Sequence, residues 1–460
     1  MIALLWILAQ PVQAIQAPAE SALRAPLPDP TLEAPPEGPV LTLADALLAA
    51  RAQSPDLAVA LERVAQAENN VQRAWATLQP TLTASGTATH NSYSGLYVNY
   101  NAPLADVISG KAVQDVGPNA QAANLTLAWN LFNLRAFPAL KTAYQQVDVA
   151  RLTETQQRRE LLLQVASIYY SGLALRELAQ VSQRQSRATR DHAKDAQARY
   201  EAGLQQLSAA LRARIDFLNA DQETRRAQFN YAAAKSQLAA LLDRRDTSFE
   251  LAPPAEPPEE LRGAYQDLIE KALAERPEMA AARANEQIAA RLKTDAWAQF
   301  VPTLALTAAA RYNHPPVIVT GNESYWAVAL SLTIPLYDGG FRYVALKDAD
   351  SQLRQAKAQT RSQTAQIEDE LRRALLDLAS ARALRDEADE TLRAARENER
   401  LVRAQFDAGT VAQVVVSDAE AALFQSESNA LQQRLSVQLD ALRVAKAVGA
   451  FDVGETGGKR

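Results

Sequence analysis

The chain has 460 residues and a formal net charge of −5, with acidic and basic groups interspersed, so its electrostatics give no case for nucleic acid. It contains no cysteine, which excludes disulfides, thiolate metal sites, a cysteine nucleophile and a lipidated N-terminal cysteine. An alanine-rich, charge-dense composition with only 16 glycines favours long helices over a compact α/β enzyme.

In chain order, residues 1–17 read as a secretory signal. Ile2 to Ala9 is an apolar run too short to span a membrane, and Val12-Gln13-Ala14 offers a small-x-small cleavage site, with no Lys or Arg ahead of it. Residues 18–40, rich in Pro, Ala and Glu, read as an extended, unpacked lead-in. Residues 41–250 are predicted as a helix over 43–78, strands over about 80–97 and 118–134, a long helix over 139–202 and a returning helix over 207–242. A Pro-rich linker follows at 251–262. Residues 263–450 repeat the plan, with a helix over 264–298, strands over about 302–314 and 324–337, a long helix over 341–406 and a helix over 414–448. Residues 451–460 form a tail.

The repeat is visible in the residues. At a shift of 222, Pro55 meets Pro277, Asp56 meets Glu278, Trp75 meets Trp297, and Pro80-Thr81-Leu82 meets Pro302-Thr303-Leu304. At a shift of 205, Leu125, Leu131, Phe132 and Asn133 meet Leu330, Leu336, Tyr337 and Asp338. Tyr200-Glu201-Ala202-Gly203-Leu204 matches Phe406-Asp407-Ala408-Gly409-Thr410 at 206. The fall from 222 to 205 places 17 extra residues in one loop of the first copy, between Leu82 and Leu125. Two repeats of this length are too few for a solenoid and read as a duplicated half-protein.

The stretch Ala327–Gly340 carries the clearest strand pattern. Val328, Leu330, Leu332, Ile334 and Leu336 alternate with Ala329, Ser331 and Thr333, the period of a strand with one apolar face. Pro335 removes a ladder donor near its end, and Gly339-Gly340 permits a sharp turn into the long helix. Its counterpart in the first copy alternates Leu125, Leu127, Trp129 and Leu131 against Thr126, Ala128 and Asn130. No Asp, Glu, Lys or Arg occurs in 74–105, 116–134, 296–310 or 324–337. Charge on the lipid face of a membrane barrel costs about 2–4 kcal/mol at mid-bilayer, so lipid-facing strands need such windows. Trp129 and Trp326 share the parity of the apolar face and suit an aromatic girdle. Four strands cannot close a barrel alone, which calls for several chains sharing one.

The second long helix carries a heptad seam, Ile367, Ala374, Ala381, Ala388, Ala395 and Val402, flanked by Leu371, Leu378 and Leu392. Such a seam implies supercoiled packing with close backbone approach. His90, His192 and His314 do not fall at metal-ligand spacing and read as loop or surface residues. The chain lacks a phosphate loop, a dinucleotide fingerprint and a nucleophile–base signature, so no catalytic residue, cofactor or metal is expected.

Taken together, the duplicated plan, Ser54-Pro55-Asp56-Leu57, Leu78-Gln79-Pro80-Thr81-Leu82, Val301-Pro302-Thr303-Leu304 and Ile334-Pro335-Leu336-Tyr337-Asp338-Gly339-Gly340 resemble the TolC-type outer-membrane factors over about 41–450. The resemblance implies a mainly α fold with membrane β. Each chain would give four transmembrane strands to a trimeric, twelve-stranded β-barrel and its coiled-coil helices to a periplasmic α-helical barrel. It implies a homotrimer in outer-membrane lipid that works with a periplasmic adaptor (membrane fusion) protein and a proton-driven or ATP-driven inner-membrane transporter. Drug efflux, metal-ion efflux and protein secretion are not separated by it, and the alternative is a non-membrane coiled-coil scaffold of the envelope.

The family's functional residues carry over unevenly. Ala202-Gly203-Leu204 and Ala408-Gly409-Thr410 resemble the family's adaptor-docking hairpin tips. Of two aspartates that ring the periplasmic entrance in relatives, Asp418 matches the later and Val415 stands at the earlier. The family's closing network is matched only by Phe406 and Ser208, since Val411 and Ala209 replace its arginine and aspartate. Asp418 aligns internally with Arg212, which offers an Arg212–Asp418 pair as a substitute lock in the tip gate, the alternative being that both are solvated. The Val328–Leu336 face is expected to meet lipid and the Ala329–Thr333 face water.

Overall fold

The computed structural model describes Leu23, Leu27 and residues 38–92, 95–98, 103–109, 113–116, 118–253, 263–315 and 322–450. The expected signal, the tail at 451–460, most of the lead-in and most of the linker lie outside the described residues. The element order is β1 (Val40–Leu41), α1 (Leu43–Gln53), α2 (Pro55–Ala76), β2 (Thr81–His90), β3 (Gly95–Val98), α3 (Leu104–Ile108), β4 (Val113–Val116) and β5 (Asn119–Phe132). Then come α4 (Ala136–Glu201), α5 (Leu207–Leu241), β6 (Glu250–Leu251), α6 (Tyr265–Glu275) and α7 (Pro277–Ala298). The chain continues through β7 (Thr303–His314), β8 (Ser324–Thr333), α8 (Phe341–Asp407) and α9 (Gln413–Val448). None of the described helices is long and apolar enough to cross a membrane.

The chain divides into two units. The first comprises Met1–Val59, Thr155–Arg276 and Thr364–Arg460, the second Ala60–Glu154 and Pro277–Gln363.

The second unit holds an antiparallel sheet in the order β2-β5-β7-β8. Its register puts Leu82 opposite Leu127, Trp129 opposite Leu306, Leu306 opposite Leu330, and Leu304 opposite Leu332. Directly paired residues share a face, so these leucines and Trp129 form one continuous apolar surface with Val328 and Trp326. Thr83, Thr126, Ala309 and Ala327 pair along the other face. The apolar face is uncovered, with Leu82, Leu330 and Leu332 each more than 60% exposed. A bulge between Asn130 and Phe132 brings Phe132, not Leu131, opposite Leu304. The alternation expected to end on Leu131 therefore slips by one residue, as a bulge requires. The longer loop of the first copy, between β2 and β5, holds the β3–β4 hairpin and α3.

Four expectations need correction. The strand predicted over 324–337 ends at Thr333, because Pro335 has no N–H to continue the ladder. Ile334 and Leu336, expected on the strand's lipid face, follow it as exposed residues of the connection to α8. The helices predicted over 43–78 and 264–298 are each two helices. They break at Ser54 and Arg276, both extended (ψ 124° and 126°) because the following proline crowds the helical conformation. The lead-in is not wholly unpacked: Leu23 is 3% exposed against Ala196 and Ala210, and Arg214 Nη1 donates to its carbonyl at 3.1 Å. Leu251, placed in the linker, lies in β6 and pairs with Leu41.

The connection from sheet to long helix is held by one aspartate. Asp338 accepts from the Gly340 N–H at 3.1 Å, from the Arg342 N–H at 3.2 Å and from Arg342 Nε at 2.7 Å. Arg342 Nη1 also donates to the Pro335 carbonyl at 2.9 Å, and its guanidinium lies 5.0 Å from the centroid of the Phe300 ring. The Arg342 bond holds the Asp338 carboxyl below the usual carboxylate range. Gly339 and Gly340, at φ 69° and 90°, occupy the left-handed region that makes the turn possible. In the first copy Asn133 stands at the aspartate's position and caps with Oδ1 to the Arg135 N–H, while Arg135 pairs with both carboxylate oxygens of Asp295.

In the first unit the long helices pack through the heptad seam. Ile367, Leu371, Ala374, Leu378, Ala381, Ala388, Leu392 and Val402 are buried, and Ala395 is half-buried. At the other end of this unit's chain path, β1 and β6 pair in parallel, with the Tyr169 hydroxyl 2.8 and 2.6 Å from the carbonyls of Leu41 and Ala252.

Candidate functional site

The two hairpin turns are alike in atomic detail. Gly203 (φ 74°) donates to Tyr200 O and Leu204 to Arg199 O; Gly409 (φ 73°) donates to Phe406 O and Thr410 to Gln405 O. Each is a Schellman stop, in which a left-handed glycine lets two N–H groups satisfy the last free carbonyls of a helix. Ala202, Gly203, Leu204, Ala408, Gly409 and Thr410 are all exposed at these turns, with nothing within 4 Å of a Cβ built on either glycine.

The returning helices α5 and α9 begin with Ala210 and with Val416 and Ala419 buried. Phe406 packs on Val402, Val416 and Ala419, so its ring serves the core of the second hairpin rather than a polar lock. Ser208 is exposed, and no hydrogen bond among the described residues joins it to Arg212, Asp418 or Phe406. Arg212 and Asp418 do come together, with Nη2 3.8 Å from Oδ1, but their side chains are 62% and 71% exposed. A pair so long and so wet contributes at most about 1 kcal/mol.

The stronger polar link at this end is one that sequence reading passed over. His192 of α4 places Nε2 2.9 Å from Glu420 Oε1 of α9, and Arg403 of α8 donates to the same oxygen at 2.7 Å. Gln413 Nε2 lies 3.2 Å from His192 Nδ1, and Arg403 also pairs with Glu399 at 2.9 Å. His192 is thus a half-buried helical residue rather than a loop or surface one, whereas His90 and His314 close β2 and β7 in exposed positions. The hydrogen bond to Glu420 raises the His192 pKa, against the opposing effects of burial and Arg403. Burial works to raise the Glu420 carboxyl, but bonds from His192 and Arg403 outweigh it and hold it low. One sequence signal was available: Glu420 falls four residues after Val416 and one after Ala419, which puts a charge on the apolar stripe of α9.

The arrangement is suited to holding helices of the two copies together at the turns, with ionisable groups that respond to pH. Among the described residues no group of three or more His, Asp or Glu is placed to hold a metal ion.

Comparison with known proteins places this geometry among relatives. A family model described as outer membrane efflux protein matches residues 46–244 and 268–450, one segment in each copy. The alkaline protease secretion protein AprF of Pseudomonas aeruginosa is 24% identical over 325 residues, covering 68% of this chain. The match spans 66% of that relative, just under two thirds of its length. A membrane protein of Pseudomonas aeruginosa superposes with a TM-score of 0.74 at 19% identity, covering 88% of this chain and 93% of that one. The outer membrane protein VceC of Vibrio cholerae gives 0.70 at 20% identity, with 89% and 97% covered. The Campylobacter jejuni CmeC outer membrane channel gives 0.74 at 16%, with 90% and 87% covered.

Proposed function

The chain belongs to the outer membrane efflux protein family, and we propose that it is a TolC-like outer-membrane channel, the passive exit duct of a tripartite efflux or secretion system. Three copies share one channel, each supplying four strands to a twelve-stranded barrel and its long helices to a periplasmic α-helical barrel. The turns at 202–204 and 408–410 dock a periplasmic adaptor, and an inner-membrane transporter, proton-driven or ATP-driven, supplies the energy.

The observation that carries this reading is the uncovered apolar face running through all four strands of the sheet in register. A single chain leaves that face bare and both sheet edges open. Lipid covers such a face, and neighbouring copies pair such edges, because unpaired backbone is too costly in hydrocarbon. The four windows without charge fit the same solvent. In this reading Asp418 rings the periplasmic entrance. The tip gate, expected at Arg212, Ser208 and Phe406, draws most of its strength instead from His192, Glu420 and Arg403. The similarity to a protein named for alkaline protease secretion supports protein cargo as one candidate substrate class.

Purification and planar-bilayer recording test the proposal. A channel is extracted only with detergent, runs as a heat-modifiable trimer and conducts in steps. Solubility without detergent and no conductance would establish the envelope scaffold instead. Asp418→Ala should relieve block of the current by polyvalent cations added to the tip side, and unchanged block would remove Asp418 from the entrance.

A further inference from the structure

The strands β2, β5, β7 and β8 contain a single Asp, Glu, Lys or Arg, and it is Arg311 of β7. It stands close to His314, the end of β7 that lies away from α7. Side chains alternate across a strand, so Arg311 shares the face of Ala309 and lies opposite the face of Leu304 and Leu306. The register sets Arg311 between Asn124 and Tyr325, and sets Asn124 beside Ser85. Ser85, Asn124, Arg311 and Tyr325 thus form one row across the whole sheet. All four line a hollow of about 700 Å³ at this level. Each of them can donate a hydrogen bond, and none is acidic.

An arginine near the end of a membrane strand commonly snorkels to the headgroups. Arg311 is on the wrong face for that. It is exposed, and no hydrogen bond or ion pair joins its side chain to another described residue. Glu323, just ahead of β8, is engaged instead by His314, with Oε1 2.9 Å from Nδ1. The row therefore carries an uncompensated positive charge on the face turned away from lipid.

The charge gains its effect by repetition, and here the inference rests on the reading that three copies share one barrel. Strands about 4.8 Å apart and tilted by about 40° close a twelve-stranded barrel roughly 25 Å across, with equivalent wall positions roughly 20 Å apart. Side chains reaching inward shorten that separation toward the Debye length, about 10 Å at 0.1 M salt. Their fields then overlap in the lumen, focused by low-dielectric walls.

We propose that three copies of Arg311 form a cationic ring inside the outer end of the barrel, a subsite for anionic groups on molecules leaving the duct. Ser85, Asn124 and Tyr325 add neutral hydrogen-bond donors beside each guanidinium. The ring is opposite in sign to the entrance ring assigned to Asp418 and belongs to the other end of the duct.

Planar-bilayer recording with a trivalent organic anion, 8-hydroxypyrene-1,3,6-trisulfonate, tests this. Added on the barrel side at about 0.1 M salt, it should reduce the current, and the effect should vanish at about 1 M salt, where screening shortens to about 3 Å. Arg311→Gln should raise the half-blocking concentration about fivefold or more, while Arg311→Lys, which keeps the charge, should largely preserve the block. Should Arg311→Gln not assemble, Asn124→Asp, which sets a carboxylate beside the arginine, is expected to weaken the block in the same direction. Asp418→Ala should leave it unchanged. Absence of any conductance would remove the duct reading and the ring with it. A conducting trimer whose anion block is absent, or is unaltered in the Arg311→Gln and Asn124→Asp variants, would overturn the ring alone.

Discussion

His192 and Glu420 are 228 residues apart in the chain, yet their side chains meet at 2.9 Å and join the long helix of the first copy to the returning helix of the second. Arg403 brings in the long helix of the second copy through the same carboxylate oxygen. A buried carboxylate held by two cationic partners is costly to strand, since an uncompensated buried charge destabilises by about 3–5 kcal/mol. We expect His192→Ala combined with Arg403→Ala to lower the thermal midpoint far more than Arg212→Ala, the midpoint being read by circular dichroism.

The same contact should make closure depend on pH. The His192 pKa is raised by its bond to Glu420, so the stabilisation is complete below the free imidazole value of about 6.5 and is lost as pH rises through the higher folded value. Titrating from pH 6 to pH 8 should therefore loosen the tip, with more frequent openings in single-channel records. His192→Gln, which cannot gain a proton, should flatten that dependence. An identical pH profile in the variant would assign the response to another group.

Face should matter more than position on β8. Leu332→Lys puts charge on the apolar face at a cost of about 2–4 kcal/mol if that face meets mid-bilayer lipid. Ser331→Lys, one residue away on the opposite face, should be tolerated. The measurement is the yield of heat-modifiable trimer in the membrane fraction, and equal losses from both would show that the faces are misassigned.

The turn from sheet to long helix depends on Arg342, which is 8% exposed and bonds to Asp338 and the Pro335 carbonyl. Arg342→Ala should destabilise by about 2 kcal/mol or more, the loss of charged hydrogen bonds in a buried setting. Arg342→Lys should not restore stability, because a single ammonium cannot meet both acceptors and lie over Phe300 as the guanidinium does. Denaturant unfolding of both variants decides this.

Local patterns carried much of this protein in the sequence itself. Alternation in Val328–Leu332, the heptad seam at Ile367–Val402, the glycines at 203 and 409 and the self-matching at shifts near 222 and 206 all follow from short-range periodicity or from duplication. Even the Arg212–Asp418 approach was legible, because the internal alignment set those two positions opposite one another. Tertiary structure alone decided the rest. The bulge at 130–132 depends on how β5 meets β7, a matter of two strands rather than one. Leu23 finds its hollow only where Ala196 and Ala210 leave one. His192, Glu420 and Arg403 come from three helices and carry no shared local pattern. Their meeting is fixed by which faces of α4, α8 and α9 pack, and single-residue periodicity does not encode that choice.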